Sequence, residues 1–187
     1  MRFKLAAAEA GWLRHPFLLP RAYRHWLADE GSLTARLRSG CTRFSVRLLK
    51  TGSARPNHDE IAPLRLQGAW RQAFVREVAL QCGEQDVVFA HSVVPAASLR
   101  GAWAQVTRLG TRPLGEALFS NPRVLRGELQ YRRISRRHPL MREILRAGLK
   151  SGEKQLWARR SVFSLKGHPL MVTEVFLPEI LGNKHGR

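Results

Sequence analysis

Apolar positions gather in four runs that read as strands and fold back on one another as two hairpins. Residues 74–82 (FVREVALQC) turn through Gly83-Glu84-Gln85-Asp86 into residues 87–94 (VVFAHSVV), and Pro95 closes the second strand. Residues 156–165 turn through Lys166-Gly167-His168-Pro169 into residues 170–177, a run that is almost wholly apolar. Residues 41–49 alternate more loosely, with Phe44, Val46 and Leu48 on one face and Arg43 and Arg47 on the other. Residues 123–135 suggest one further long strand. Helical spacing is visible in residues 21–30, where Tyr23, Trp26 and Leu27 recur and Gly31 ends the run. Ser32 can cap a short helix at 33–37. Residues 96–109 have helix-like composition, and 114–119 form a short helix after Pro113, a favourable first-turn residue. Residues 138–147 read as a helical or irregular excursion, and 51–58 (TGSARPNH) as a loop. Hairpins with helices between them predict an α+β fold on a single antiparallel sheet. The organisation expected is one domain over residues 1–187. Pro16 and Pro20 break residues 1–20 into an N-terminal arm, and 179–187 form a C-terminal tail.

Composition narrows the partners. Thirty-two Lys and Arg against fourteen Asp and Glu give a formal net charge of +18, so the molecules met are expected to be anionic. Nucleic acid, an acidic membrane surface and a small dianionic metabolite all fit. Residues 123–146 carry eight arginines. Such a stretch is usually a solvated face, though it could touch acidic surfaces or steer an anion. Tyr131 is the one aromatic residue in it, a weak pattern for nucleic-acid binding. The longest run without a charged residue is the thirteen residues 87–99, too short to span a bilayer. Glu9 interrupts the apolar start, so no signal peptide is expected. Cys41 and Cys82 lie far apart and read as ordinary thiols in a reducing compartment. The expectation is a cytoplasmic protein. The histidines show no ligand-like spacing, so no metal is expected.

Two charges are out of place. Glu174 shares a strand face with Leu170, Val172 and Phe176, and the other face is no wetter. Arg76 is in phase with Phe74, Val78 and Leu80. A charge beside apolar surface needs a partner, a ligand or a proton. The pair could bond to each other, or Arg76 could snorkel outward. The alternative is a pocket with a cation at one end and a carboxylate at the other, suited to a flat ligand carrying a carboxylate and a hydroxyl.

The segments FVREV (74–78), SVVP (92–95), LGTRPLGEALF (109–119), LWARRSVF (156–163) and GHPLMVTEVFLP (167–178) together resemble the chorismate pyruvate-lyase family. Any one is short, but five in order over residues 20–178 are specific. The resemblance implies a lyase that converts chorismate to 4-hydroxybenzoate and pyruvate for ubiquinone biosynthesis. It implies flap-like helical segments over a buried pocket, no cofactor, and a monomer. Carried across by position, Arg76 and the Leu114 backbone N–H would hold the ring carboxylate. Glu174 and a backbone contact at Leu33 would meet the ring hydroxyl. Arg76 and Glu174 are thereby the expected catalytic pair. The family usually has Arg before V-V-P; His91 stands there. The enolpyruvyl carboxylate would then fall to His91 or to another arginine, Arg159 or Arg160. The rival reading is a non-catalytic binder of small aromatic acids, since the same fold serves as the effector domain of bacterial regulators. A basic RNA-binding protein is the more distant alternative.

Overall fold

The structure is a computed structural model and describes residues 11–15, 19–68, 72–149 and 152–182. A seven-stranded antiparallel sheet is its centre, built from β1 (Phe44–Ala54), β2 (Ala73–Cys82), β3 (Gln85–Pro95), β4 (Leu125–Arg126), β5 (Gln130–Ser135), β6 (Gln155–Leu165) and β7 (His168–Phe176). Their order is β1-β2-β3-β7-β6-β4, with β5 also pairing β6. The two expected hairpins, β2–β3 and β6–β7, are joined along β3 and β7. Those two strands become the middle of the sheet, which explains why their sequences are apolar on both faces.

One face is covered by α1 (Arg21–Leu27), α2 (Leu33–Gly40) and, further along, α4 (Leu114–Phe119). Trp26, Leu27, Leu33 and Leu37 pack with Val78, Leu80 and Phe176. Beyond them Leu114 and Leu118 pack with Val94, Phe163 and Leu170. The opposite face is covered by α3 (His58–Ile61) and α5 (Pro139–Arg146). There Leu140, Met141 and Ile144 of α5 meet Ala79, Phe89 and Val175. The Ser32 side chain accepts a hydrogen bond from the Ala35 N–H at 3.3 Å, capping α2 as its sequence suggests.

Local differences from the sequence reading have physical causes. β1 runs on to Ala54 because β2 supplies a ladder partner as far as Ala73. Asn57 and Glu60 then form a capping box, so the end of the expected loop nucleates α3. Residues 96–109 form 3-10 turns at Ala96–Arg100 and Ala104–Arg108 rather than one helix, with Gly101 between them. The long strand expected at 123–135 is broken into β4 and β5. At the break the Gly127 N–H donates to the Val162 carbonyl at 2.8 Å, and a Cβ on Gly127 would stand 3.1 Å from that same oxygen.

Residues 1–10 and 16–18 of the expected arm lie outside the described residues. Its remaining part packs onto the sheet: Trp12 is buried and Leu13 bridges Tyr131. Residues 178–182 form a 3-10 turn with Ile180 buried, so the start of the expected tail is part of the core; 183–187 lie outside the described residues. The cysteine reading is corrected. Cys41 and Cys82 form a disulfide, with Cα atoms 5.3 Å apart. Cys41 caps the end of α2, and Cys82 ends β2 opposite Phe44, so the fold closes a separation of 41 residues that spacing alone leaves open.

Candidate active site

Between the two apolar clusters of the α1–α2–α4 face lies a pocket with about 600 Å³ of atom-free space. Strand alternation sets its floor. Arg76, Ser92, Val172 and Ser161 lie in register across β2, β3, β7 and β6. The next row inward is Val78, Ala90, Glu174 and Arg159. All eight line the pocket. Strand spacing puts the Cα atoms of Arg76 and Glu174 roughly 12 Å apart.

Arg76 is 2% exposed. Its Nη2 donates to the carbonyls of Gly110 (2.8 Å) and Arg112 (2.9 Å), while Nε has no partner among the described residues. Burial alone lowers its pKa from the usual arginine value. The guanidinium therefore fastens the loop leading into α4 and keeps donor capacity in reserve. Glu174 accepts from Arg159 Nε at 2.5 Å. Arg159 in turn donates through Nη1 to the carbonyls of Trp26 (2.9 Å), Leu27 (3.4 Å) and Asp29 (2.5 Å). A cation at the exposed carbonyls of a helix end is favourable, so Arg159 fixes α1 and orients the carboxylate together. Arg76 and Glu174 do not pair with each other.

The roof is made by two short helices. Leu33 and Thr34 open α2, and Leu114 and Gly115 open α4; all four line the pocket. A helix leaves its first-turn N–H groups without intrahelical acceptors, so both ends present donors here. A Cβ on Gly115 would lie 2.9 Å from Thr34 Oγ1 and 3.2 Å from Ser32 Oγ, which makes glycine the residue that lets the helices touch. Arg38 of α2 and Glu116 of α4 are ion-paired beside that contact. Arg126, from β4, lines the wall between Phe119 and Phe163, with its guanidinium 5.5 Å and 5.4 Å from their ring centres.

A family model described as chorismate lyase matches residues 6–185. The chain belongs to the chorismate lyase family. A protein of Thiobacillus denitrificans named "Probable chorismate pyruvate-lyase" is 51% identical over 176 residues, 94% of this chain and 93% of that protein. One of the same name from Nitrosospira multiformis is 44% identical over 177 residues, covering 94% and 97%. Among solved structures, the effector domain of PhnF from Mycobacterium smegmatis superposes with a TM-score of 0.54 at 13% identity, covering 80% of this chain and 90% of that one. A GntR-family regulator from Bacillus cereus gives 0.53 at 13%, covering 74% and 94%. At such identities the likeness is one of fold, and it agrees with the α+β architecture.

Of the residues that the chorismate lyase resemblance singled out, Arg76, Glu174, Leu33 and Leu114 come together in this one pocket. His91 and Arg160 do not. His91 lies between two carboxylates on the opposite face, Nε2 3.0 Å from Glu60 and Nδ1 3.0 Å from Glu77. Burial disfavours its charge, but the Glu60 and Glu77 carboxylates outweigh that and raise its pKa to about 9. Arg160 Nε donates to Gln130 Oε1 at 2.7 Å and Nη1 to the Asp59 carbonyl at 2.9 Å, again on the far face. Alternation is the reason: Ser92 and Arg159 point into the pocket, so their neighbours His91 and Arg160 point away. Arg126 was hidden in the basic run; only the break between β4 and β5 gives it a direction. Among the described residues no group of three or more His, Cys, Asp or Glu side chains is placed to hold a metal.

Proposed function

We propose that this protein converts chorismate to 4-hydroxybenzoate and pyruvate, the step that feeds ubiquinone biosynthesis. The observation that carries the proposal is the pocket itself: a buried guanidinium and an oriented carboxylate on one sheet face, under a roof of two helix starts. Family membership and a relative at 51% identity point the same way.

The chemistry asks little covalent work of the protein. The C3–O bond breaks with its electron pair leaving on the enolpyruvyl oxygen. The C4 proton is lost, and its electron pair completes the aromatic ring. The enolate takes up a proton and becomes pyruvate. Aromatisation drives the step, so the protein must orient the ring, exclude water and stabilise charge on the departing oxygen. In this reading Arg76 and the Leu114 N–H hold the ring carboxylate. A guanidinium with an unused Nε suits a carboxylate, because both present parallel donors and acceptors. Glu174 meets the 4-hydroxyl and sets C4 for deprotonation, and the backbone at Leu33 supports the same oxygen. Arg159 is a positioning residue, since it fixes the Glu174 carboxylate rather than the substrate.

The proposal includes a monomer working in the cytoplasm without nucleic acid. In a reducing compartment Cys41 and Cys82 would stand as two adjacent thiols. No helix among the described residues is long and apolar enough to cross a membrane. The test is direct: purified protein is mixed with chorismate, 4-hydroxybenzoate is followed by its absorbance, and pyruvate by coupled reduction to lactate. Equimolar release of the two products is expected. Tight 4-hydroxybenzoate binding without turnover of chorismate would instead identify a non-catalytic binder.

A further inference from the structure

The pocket holds more positive charge than one carboxylate needs. It contains three guanidinium groups, Arg76, Arg126 and Arg159, and one carboxylate, Glu174. Arg159 is matched by Glu174. Arg76 is matched, in the lyase reading, by the ring carboxylate. Arg126 has only neutral acceptors. Its Nε donates to Ser161 Oγ at 3.1 Å, and its Nη1 to the carbonyls of Glu30 and, at 3.5 Å, Gly31. No carboxylate among the described residues lies within ion-pair distance of it. Burial, with the Arg159 cation adding to it, lowers its pKa from the usual arginine value; the carboxylates of Glu174, Asp29 and Glu30 oppose this without bonding to it, so the buried cation lacks a direct acid partner. Its position is distinct from that of Arg76: Ser161 lies across β6, three strands from β2.

We propose that Arg126 is the partner of the second carboxylate of the substrate, the one on the enolpyruvyl side chain. This rests on the lyase reading and completes its charge balance, two unmatched cations facing a dianion. The placement has a second effect. Nη1 also holds the carbonyls of Glu30 and Gly31, in the link between α1 and α2, so the group that grips the side chain also seats the roof above it. As the C3–O bond breaks, negative charge grows on the fragment that Arg126 holds, and a fixed guanidinium there lowers the barrier. The product 4-hydroxybenzoate lacks that carboxylate and leaves Arg126 unmatched, so the residue discriminates substrate from product.

The experiment compares Arg126→Gln and Arg126→Lys with wild type, measuring kcat/KM for chorismate and the Kd of 4-hydroxybenzoate by calorimetry. For the Gln variant a fall of roughly 10²–10³-fold in kcat/KM is expected, the scale of truncating one partner of a desolvated charge pair. The Kd of 4-hydroxybenzoate should move by no more than about twofold, and the Lys variant should lie between Gln and wild type. Equal losses for substrate and product would assign Arg126 to holding the roof alone and overturn the proposal, as would unchanged kinetics. A wild-type measurement covers the case in which the variants do not fold. 3-(Carboxymethoxy)-4-hydroxybenzoate should bind more tightly than 3-ethoxy-4-hydroxybenzoate; equal affinity overturns the proposal. That comparison needs no turnover, so it separates failure of the Arg126 assignment from failure of the lyase reading.

Discussion

The two faces of the central sheet carry the same kinds of charged residue and treat them in opposite ways. On the far face, Glu77, His91, Thr173, Arg160 and Gln130 form a row in register across five strands. Every charge there is answered within the protein: His91 by Glu60 and Glu77, Arg160 by Gln130 and Asp59. Asp59 is also bonded by the Trp12 indole at 2.8 Å; against the opposing effect of burial, hydrogen bonds from His138 and Trp12 and the nearby Arg160 guanidinium hold its carboxyl well below the usual carboxylate range. On the pocket face, Arg76, one residue before Glu77 on β2, keeps an unpartnered Nε, and Arg126 of β4 bonds only a hydroxyl and backbone carbonyls. The lesson is that a buried charge is not by itself a sign of function. The closed row ties α3 and the arm to the sheet; the open face, in the proposed function, is completed by the substrate.

That contrast can be broken from either side. The largest effect is expected for Arg76→Ala, which should reduce kcat/KM by roughly 10³-fold and abolish measurable 4-hydroxybenzoate binding, because it removes one partner of a desolvated ion pair. The folded state should tolerate the change, which calorimetry and thermal melting would check together. On the closed side, the His91 pKa is raised above its unfolded value to about 9. The stabilisation is therefore complete below about pH 6.5 and drains away as pH rises through about 9. Urea unfolding should lose on the order of 3 kcal/mol across that window. His91→Leu should be less stable at neutral pH and should lack this drop, with kcat per folded molecule unchanged. A catalytic defect of the size expected for Arg76→Ala would erase the distinction between the faces.

Smaller effects sharpen the comparison within the pocket. Glu174→Gln should lower kcat by about 10²-fold or more while binding 4-hydroxybenzoate, since an amide keeps the contact but takes no proton. Single-turnover kinetics would separate the two. Gly115→Ala should cost about tenfold in kcat/KM, the equivalent of roughly 1.4 kcal/mol, because its Cβ meets Thr34 Oγ1 at 2.9 Å. Adding Thr34→Ala should restore most of it if the roof contact is the cause.

Much of this was legible in the chain. Arg76 and Glu174 stood out because strand alternation placed a charge among apolar neighbours, and the family motifs supplied Leu33 and Leu114. His91 entered by its place before V-V-P and Arg160, with Arg159, as another arginine in reach; neither basis tells which way a strand residue faces. Across β2 and β3 the partner of Arg76 is Ser92, not His91. That pairing depends on a register shift between Leu80 and Gln81, which the sequence does not announce. Arg126 was masked for a different reason. A run of arginines reads as a solvated surface, and only Gly127, yielding to the Val162 carbonyl, turns one of them inward. The meeting of Cys41 and Cys82 belongs to tertiary structure alone.

That meeting also decides how the pocket can be entered. α2 roofs the ligand space at its Leu33 end, and its other end is stapled to the sheet through Cys41. A rod pinned at the tail pivots; it does not lift. With the two sulfurs joined, the way in would lie beneath the Leu33 tip, past Thr34 and Gly115; as two thiols in a reducing compartment they would leave the whole rod free to ride up.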